Sequence, residues 1–203
     1  MEKENSCKLS DFQYSESVRC NIRFSEFETE RFLFRKFNEN DFSIIFAWHS
    51  CNENMGFRRD GTKTESDTRK YLSFIMAEAN ANVCKNFWFA VVRKADNKLV
   101  GEGIILDVPE KPELGWLVDK NCWGRGYGTE IGGGLLNYAF QILNVRRVIA
   151  ACHVDNHASH KLMAKIGMRR EAHFIKEKFY GDKWCDRYQY AILHEEWQDK
   201  VRL

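Results

Sequence analysis

The sequence predicts a mixed α+β domain, from three observations. Segments with apolar residues at every second position are interleaved with segments whose apolar residues recur at three and four, so strands and helices alternate along the chain. One strand-like run ending at Val118 passes through three glycines at alternate positions, Gly124, Gly126 and Gly128, into a helix-like run. Two long strand-like runs around Gly181-Asp182 then lead to the C-terminus.

Residues 1–27 begin polar and then alternate, with Val18, Cys20, Ile22 and Phe24 on one face and Arg19, Asn21, Arg23 and Ser25 on the other. That period predicts a half-buried strand. Residues 1–27 are therefore expected to be an N-terminal extension, an added strand or arm, with the main domain over 28–203. Arg31 to Phe37 reads as the next strand, and Asn40 or Asp41 is placed to cap a helix through Phe42, Ile45, Phe46 and Trp48. The polar stretch from Asn52 to Thr64 is expected to be a loop long enough to be functional. Ser66 or Asp67 should cap a second helix with Tyr71, Leu72, Phe74 and Ile75 turned inward.

Phe87 to Arg93 and Leu99 to Leu106 read as a hairpin around Ala95-Asp96-Asn97-Lys98, and Pro112 to Val118 as a further strand. Behind the glycines, Ile131, Leu135, Tyr138 and Ile142 form an apolar stripe at helical spacing. Gly132-Gly133-Gly134 sits inside that helix, at roughly 1 kcal/mol per glycine against alanine, so close packing on the sheet is expected to compensate. Val145 to Val154 reads as a buried strand. Asn156 opens another helix through Leu162, Met163 and Ile166 to Gly167, the strands Met168 to Tyr180 and Lys183 to Leu193 follow, and His194 to Trp197 reads as a terminal helical turn.

The 203 residues suit one domain with an extension and can bury a sizeable core. A formal net charge of +2 gives no general basic field, so nucleic acid is not expected as a partner. Met1 to Ser6 lacks an apolar signal core, and no later run of about 18 apolar residues could span a bilayer, which predicts a cytoplasmic protein with no membrane partner. Seven cysteines without a Cys-x-x-Cys pair read as reduced thiols. His153 should end a strand while His157 and His160 sit on a helix, and no Cys/His ligand spacing accompanies them, so no metal is expected.

Gly124, Gly126 and Gly128 strip side chains from one short turn, so its backbone N–H groups can close on a ligand with several acceptor oxygens, such as a phosphate. The following helix adds its unpaired first-turn N–H groups and the positive end of its dipole. The spacing fits neither Gly-x-Gly-x-x-Gly nor a lysine-bearing phosphate loop. A tight turn without a ligand is the alternative that the glycines alone leave open.

The run Trp123-Gly124-Arg125-Gly126-Tyr127-Gly128-Thr129-Glu130, then Asn156 with Ser159, then Lys165 to Glu171, closely resembles the GNAT superfamily of acetyl-CoA-dependent N-acetyltransferases. Thr29-Glu30-Arg31 and Tyr190-Ala191-Ile192-Leu193 look like the branch that includes ribosomal-protein N-terminal acetyltransferases. The resemblance spans about residues 28–198. It implies a central, mixed, mostly antiparallel twisted sheet with a splayed parallel strand pair and about four helices on its two faces. It assigns the coenzyme A pyrophosphate to Gly124, Arg125, Gly126, Tyr127, Gly128 and Thr129, with Trp123 standing where the family usually has Gln or Arg. The pantetheine arm is assigned to backbone near Leu117 and Val118, with Asn156 and Ser159 facing it, and Arg125, His160 and Lys161 are candidate phosphate contacts.

Acetyl transfer to an amine needs a neutral amine, a polarised thioester carbonyl and a proton for the departing thiolate. The resemblance places a general base at Glu113, which alternation puts on one strand face with Gly115. Many family members use a tyrosine as the acid, but the aligned residue is Met163, so Ser159 becomes the candidate donor, with helix capping as its alternative. Phe179, Tyr180 and Trp184 flank the last hairpin, where the family often shapes its acceptor pocket. Arg58, Arg59 and Lys63 lean the acceptor away from a polycation. The expected partners are acetyl-CoA and an amine, from a protein or peptide N-terminus or a small molecule, with a homodimer left open. The competing reading is a non-catalytic coenzyme A-binding regulatory module.

Overall fold

The structure, a computed structural model, describes residues 22–58, 60–181 and 183–201. Among the described residues, eight strands form one sheet: β1 (Phe27–Glu28), β2 (Phe32–Arg35), β3 (Phe87–Arg93), β4 (Lys98–Leu106), β5 (Glu113–Val118), β6 (Arg147–His153), β7 (Arg169–Tyr180) and β8 (Lys183–Leu193). Their spatial order is β1-β2-β3-β4-β5-β6-β8-β7. Every neighbouring pair is antiparallel except β5 and β6. The helices are α1 (Phe42–His49), α2 (Asn52–Met55), α3 (Glu65–Ala79), α4 (Tyr127–Asn137), α5 (His157–Lys165) and α6 (His194–Val201).

Two apolar layers enclose the sheet. Phe87, Phe89 and Val91 of β3 face one core with Ile131 and Leu135 of α4, Met163 of α5 and Trp197 of α6. Trp88, Ala90 and Val92, the alternate residues of the same strand, face a second core with Ile45 of α1 and Leu72 and Ile75 of α3. Covered on both faces, β3 is apolar almost throughout, where a half-exposed strand would alternate. No helix among the described residues is long and apolar enough to cross a membrane.

Several sequence expectations are corrected. Of the strand expected around Val18 to Ser25, the part before residue 22 lies outside the described residues, as do Arg59 and Asp182. Ile22 to Ser25 forms no ladder. One backbone bond, from Cys84 N–H to the Ile22 carbonyl (2.8 Å), tethers this segment, while Ile22 and Phe24 pack on the first core. The edge strand proper is only Phe27–Glu28. The stretch from Asn52 to Thr64 contains the one-turn helix α2. Helix α3 is capped by Thr64, not Ser66 or Asp67: the Thr64 side chain accepts from Asp67 N–H and Asp67 reaches back to the Thr64 N–H. Asp41 does precede α1, but its carboxylate is taken by Arg35 and by the Asn38 N–H.

Phe74 and Ile142, both expected inward, are 51% and 58% exposed. For Ile142 the cause is local: after Asn137 the helix widens into a π turn over Tyr138–Ile142, with Leu143 N–H bonded to the Tyr138 carbonyl. The wider turn shifts the inward position to Leu143, which is 4% exposed. The triple glycine is explained at two of its three positions. A Cβ on Gly132 would stand 2.9 Å from Leu162 of α5, and one on Gly134 would stand 2.8 Å from Thr29, whereas Gly133 faces open space. The compensating contacts are thus with α5 and the β1 edge.

The parallel pair holds only at Glu113↔Ile149 and Leu114↔Ala150. Beyond it β5 stays with β4 as far as Val118↔Gly101, while β6 stays with β8 as far as His153↔Arg187. The two strands therefore part between Gly115–Val118 and Ala151–His153, as the resemblance implied.

Candidate active site

A cleft of about 720 Å³ opens where β5 and β6 part. One end is the glycine turn and the start of α4, one wall is the start of α5, and the far rim is the segment after α2. Of the residues singled out from the sequence, Leu117, Val118, Trp123, Gly124, Gly126, Tyr127, Gly128, Thr129, Asn156, Ser159 and Lys161 line it. Glu113, Arg125 and His160 are not among the lining residues.

The turn is held open by its backbone. Gly124 and Gly126 have φ of 75° and 74°, the left-handed region, and a Cβ on Gly124 would meet nothing within 4 Å. Gly126 is the N-cap residue of α4, so the unpaired first-turn N–H groups begin there. Gly128 is required for a different reason: a Cβ there would stand 2.7 Å from Leu162 Cδ1, where α4 and α5 cross. Open space over the left-handed Gly124 beside a helix start fits a diphosphate, and the elongated gap behind it fits a pantetheine arm.

Trp123 has a role the sequence did not show. Its indole N–H donates to the Val118 carbonyl (2.8 Å), so this oxygen, assigned by resemblance to the pantetheine arm, already has a partner. Asn156 caps α5, accepting from Ser159 N–H (3.0 Å). Ser159 is therefore not the cap; half-buried, it lines the cleft with its hydroxyl against the Cys152 thiol. Burial pushes that thiol up to about 11, which leaves it protonated and unreactive. Met163, in the place of the family tyrosine, is fully buried in the core. His160 lies beside His157 (3.1 Å), and desolvation first, then the charges of Lys161 and Arg170 nearby, hold its pKa below the usual value. Glu113 sits at the paired end of β5, with its carboxylate 3.8 Å from Arg187.

A buried polar cluster on the rim was missed by sequence reasoning. Glu102, directly opposite Leu117 in the β4–β5 ladder, is 3% exposed and accepts from the Tyr71 hydroxyl and from Arg58 Nη2 (3.0 Å). A lone carboxylate in the apolar run Leu99 to Leu106 was the available signal. The charge of Arg58 is thus engaged by Glu102, and Lys63 lies 3.5 Å from Asp60, which removes most of the argument that this segment repels a polycation.

His49, behind this cluster, is 2% exposed, with Nδ1 3.2 Å from the Thr68 hydroxyl. Burial first, then the positive Arg58 and Lys63, lowers its pKa to about 4. The unfolded chain therefore binds a proton near pH 6.5 that the folded chain refuses until about pH 4. This contribution to stability is complete above the unfolded value and is lost as pH falls between the two, by up to about 3 kcal/mol. Chemical unfolding at pH 7 and pH 4.5 should show that loss, and His49→Gln should remove part of it; an identical pH dependence in the variant contradicts the assignment.

Residues 31–169 match the family described as acetyltransferase (GNAT) domain. An uncharacterized N-acetyltransferase of Bacillus subtilis, YnaD, is 33% identical over 171 residues, 83% of this chain and 97% of the relative. The crystal structure of a GNAT-family acetyltransferase from Bacillus anthracis superposes with a TM-score of 0.77 at 34% identity, covering 84% of this chain and 99% of that one. A spermidine N-acetyltransferase from Vibrio cholerae, solved with CoA and spermine, shares the fold alone, at 18% identity and a TM-score of 0.73 over 84% of this chain and 99% of that one. The chain belongs to the GNAT family of acetyl-CoA-dependent N-acetyltransferases. It is an enzyme of acetyl transfer; its likeness to N-acetyltransferases does not favour the non-catalytic module.

Proposed function

We propose that the acceptor is the α-amine of a peptide or protein N-terminus, as in the ribosomal-protein branch. The balance of charge beside the cleft carries this reading. A second hollow of about 450 Å³ shares Phe57, Arg58, His153, Asp155 and Tyr180 with the cleft, and its charged lining is Arg58 and Lys183 against Asp60 and Asp155. A polycation would call for an excess of carboxylate, and among the described residues the hollow has none. Further support is a Bacillus subtilis relative named "Putative ribosomal N-acetyltransferase YdaF", which is 29% identical over 91 residues, 45% of this chain and 50% of its own.

Bound acetyl-CoA supplies the acetyl group as a thioester. The N–H groups from Gly124 to Thr129 hold its diphosphate, with Lys161 as the side-chain cation on the cleft wall, and Leu117, Val118 and Asn156 border the path of its arm. Ser159 donates its hydroxyl hydrogen toward the sulfur position. An α-amine of pKa about 7.7 to 8 is partly neutral near pH 7, so little base catalysis is needed. Glu113, beside Arg187 and outside the cleft lining, can assist as base only through an intervening water.

Thiol release from acetyl-CoA should be fastest with N-terminal peptides in a panel that also holds spermidine and an aminoglycoside. Faster turnover of either small amine would overturn the peptide assignment. In the same assay Ser159→Ala is expected to lower kcat about tenfold, one lost hydrogen bond in the transition state, with CoA affinity unchanged. Glu113→Gln should cost less. A Ser159→Ala enzyme with the parent's kcat would remove Ser159 from the chemistry.

A further inference from the structure

Arg31 lies on the chain just before β2, about a hundred residues from the glycine turn, yet its contacts converge on it. Its backbone N–H donates to Glu130 Oε1 (2.8 Å) and its Nε–H to Glu130 Oε2 (2.5 Å), while the Thr29 hydroxyl donates to Oε1 (2.7 Å). The guanidinium stacks 4.8 Å from the centre of the Tyr127 ring. Its Nη1–H donates to the carbonyl of Arg125 (3.0 Å). The side chain is thus fixed on α4 by a carboxylate and a ring, and from there it grips one peptide of the turn.

That peptide joins Arg125 to Gly126. In a planar trans peptide the carbonyl and the following N–H point in opposite directions. With the Arg125 oxygen held by Arg31, the Gly126 N–H is turned the other way, and Gly126 lines the cleft while Arg125 does not. On its C-terminal side this peptide meets Gly126 at φ of 74°, where the lack of a side chain relaxes the constraint on its orientation. Reversed, it would present an oxygen instead of a hydrogen-bond donor to an anion.

We propose that Arg31 is a positioning residue that sets the direction of the Gly126 amide, so that the turn is preformed for the coenzyme A diphosphate. The inference rests on the reading that the diphosphate binds at this turn. Arg31 acts through the Arg125–Gly126 peptide, and the Thr29–Glu130 contacts serve to hold Arg31 in place. The carboxylate of Glu130 is desolvated by burial, yet these bonds from Thr29 and Arg31 hold its pKa below the ordinary value, so it stays charged and able to anchor the guanidinium.

The test is calorimetric titration of coenzyme A and of pantetheine, which lacks the diphosphate, into the parent, Arg31→Ala, Arg31→Lys and Gly126→Val. The Gly126 amide is followed in parallel by ¹⁵N NMR without ligand. Lysine keeps the charge but cannot bond Glu130 and the Arg125 carbonyl together, and it serves if alanine fails to fold. Expected are a loss of about tenfold in coenzyme A affinity for both Arg31 variants, one hydrogen bond's worth, and unchanged pantetheine affinity. The Gly126 amide resonance should shift in the ligand-free variants. Parent-like coenzyme A affinity, an equal loss for pantetheine, or an unmoved Gly126 resonance overturns the proposal. If Gly126→Val weakens coenzyme A binding while the Arg31 variants do not, only this inference fails; if Gly126→Val also binds normally, the placement of the diphosphate fails with it.

Discussion

Gly126→Val should bind coenzyme A at least about tenfold more weakly than the parent, because a β-branched residue at φ near 74° is strained by roughly 1–3 kcal/mol. Relief of that strain requires the Arg125–Gly126–Tyr127 backbone to move, and the amides that face the cleft move with it. A Cβ at this position would also stand 3.7 Å from Arg31 Nη2, against the side chain that holds the turn. The matched control is Gly133→Ala in the same helix, where a Cβ meets nothing within 4 Å. That change should leave binding intact and add up to about 1 kcal/mol of stability through helix propensity. Calorimetry on the two variants separates a distorted phosphate turn from a general weakening of α4, and equal affinities for the two would contradict the account.

Gly101→Ala should be the most damaging single methyl group in the sheet. The added Cβ would stand 2.5 Å from the Leu117 carbonyl oxygen, a backbone atom with no flexible end to give way. Strand β4 would have to part from β5 at Val118 and Leu117, the residues that border the cleft. The expected cost is about 2–3 kcal/mol, a fall of roughly 5–10 °C in Tm for a chain of this size. Gly115→Ala is the comparison: its Cβ would meet Ile104 at an ordinary 3.5 Å and should cost less than about 1 kcal/mol. Thermal unfolding followed by circular dichroism reads both, and an unchanged midpoint for Gly101→Ala would contradict the β4–β5 register.

Features written in short-range pattern were legible in the sequence. Strands β3 to β6, the hairpin of β7 and β8, the glycine turn and the Asn156 cap depend on periodicity or on residues a few positions apart. The splayed pair came from the resemblance and lies where it put it. What stayed hidden depends on partners distant in the chain or on departures from regular geometry. Arg58 and Glu102 are 44 residues apart and Tyr71 and Glu102 are 31 apart, so no local pattern joins them. The π turn after Asn137 breaks the 3.6-residue period on which the inward placement of Ile142 relied. Ile22 and Phe24 do bury apolar surface, as their alternation suggested, but they pack on a core without pairing in the sheet. Trp123 stood out as a departure from the family's motif; its bond to the Val118 carbonyl shows what the departure does here.

The most direct test of the central claim is a crystal structure of the chain with coenzyme A bound. The account predicts diphosphate oxygens within hydrogen-bond distance of the N–H groups between Gly124 and Thr129, and the thiol end in the gap between Gly115–Val118 and Ala151–His153. A cofactor seated on another face, or a turn whose carbonyls rather than amides face the cleft, would contradict it.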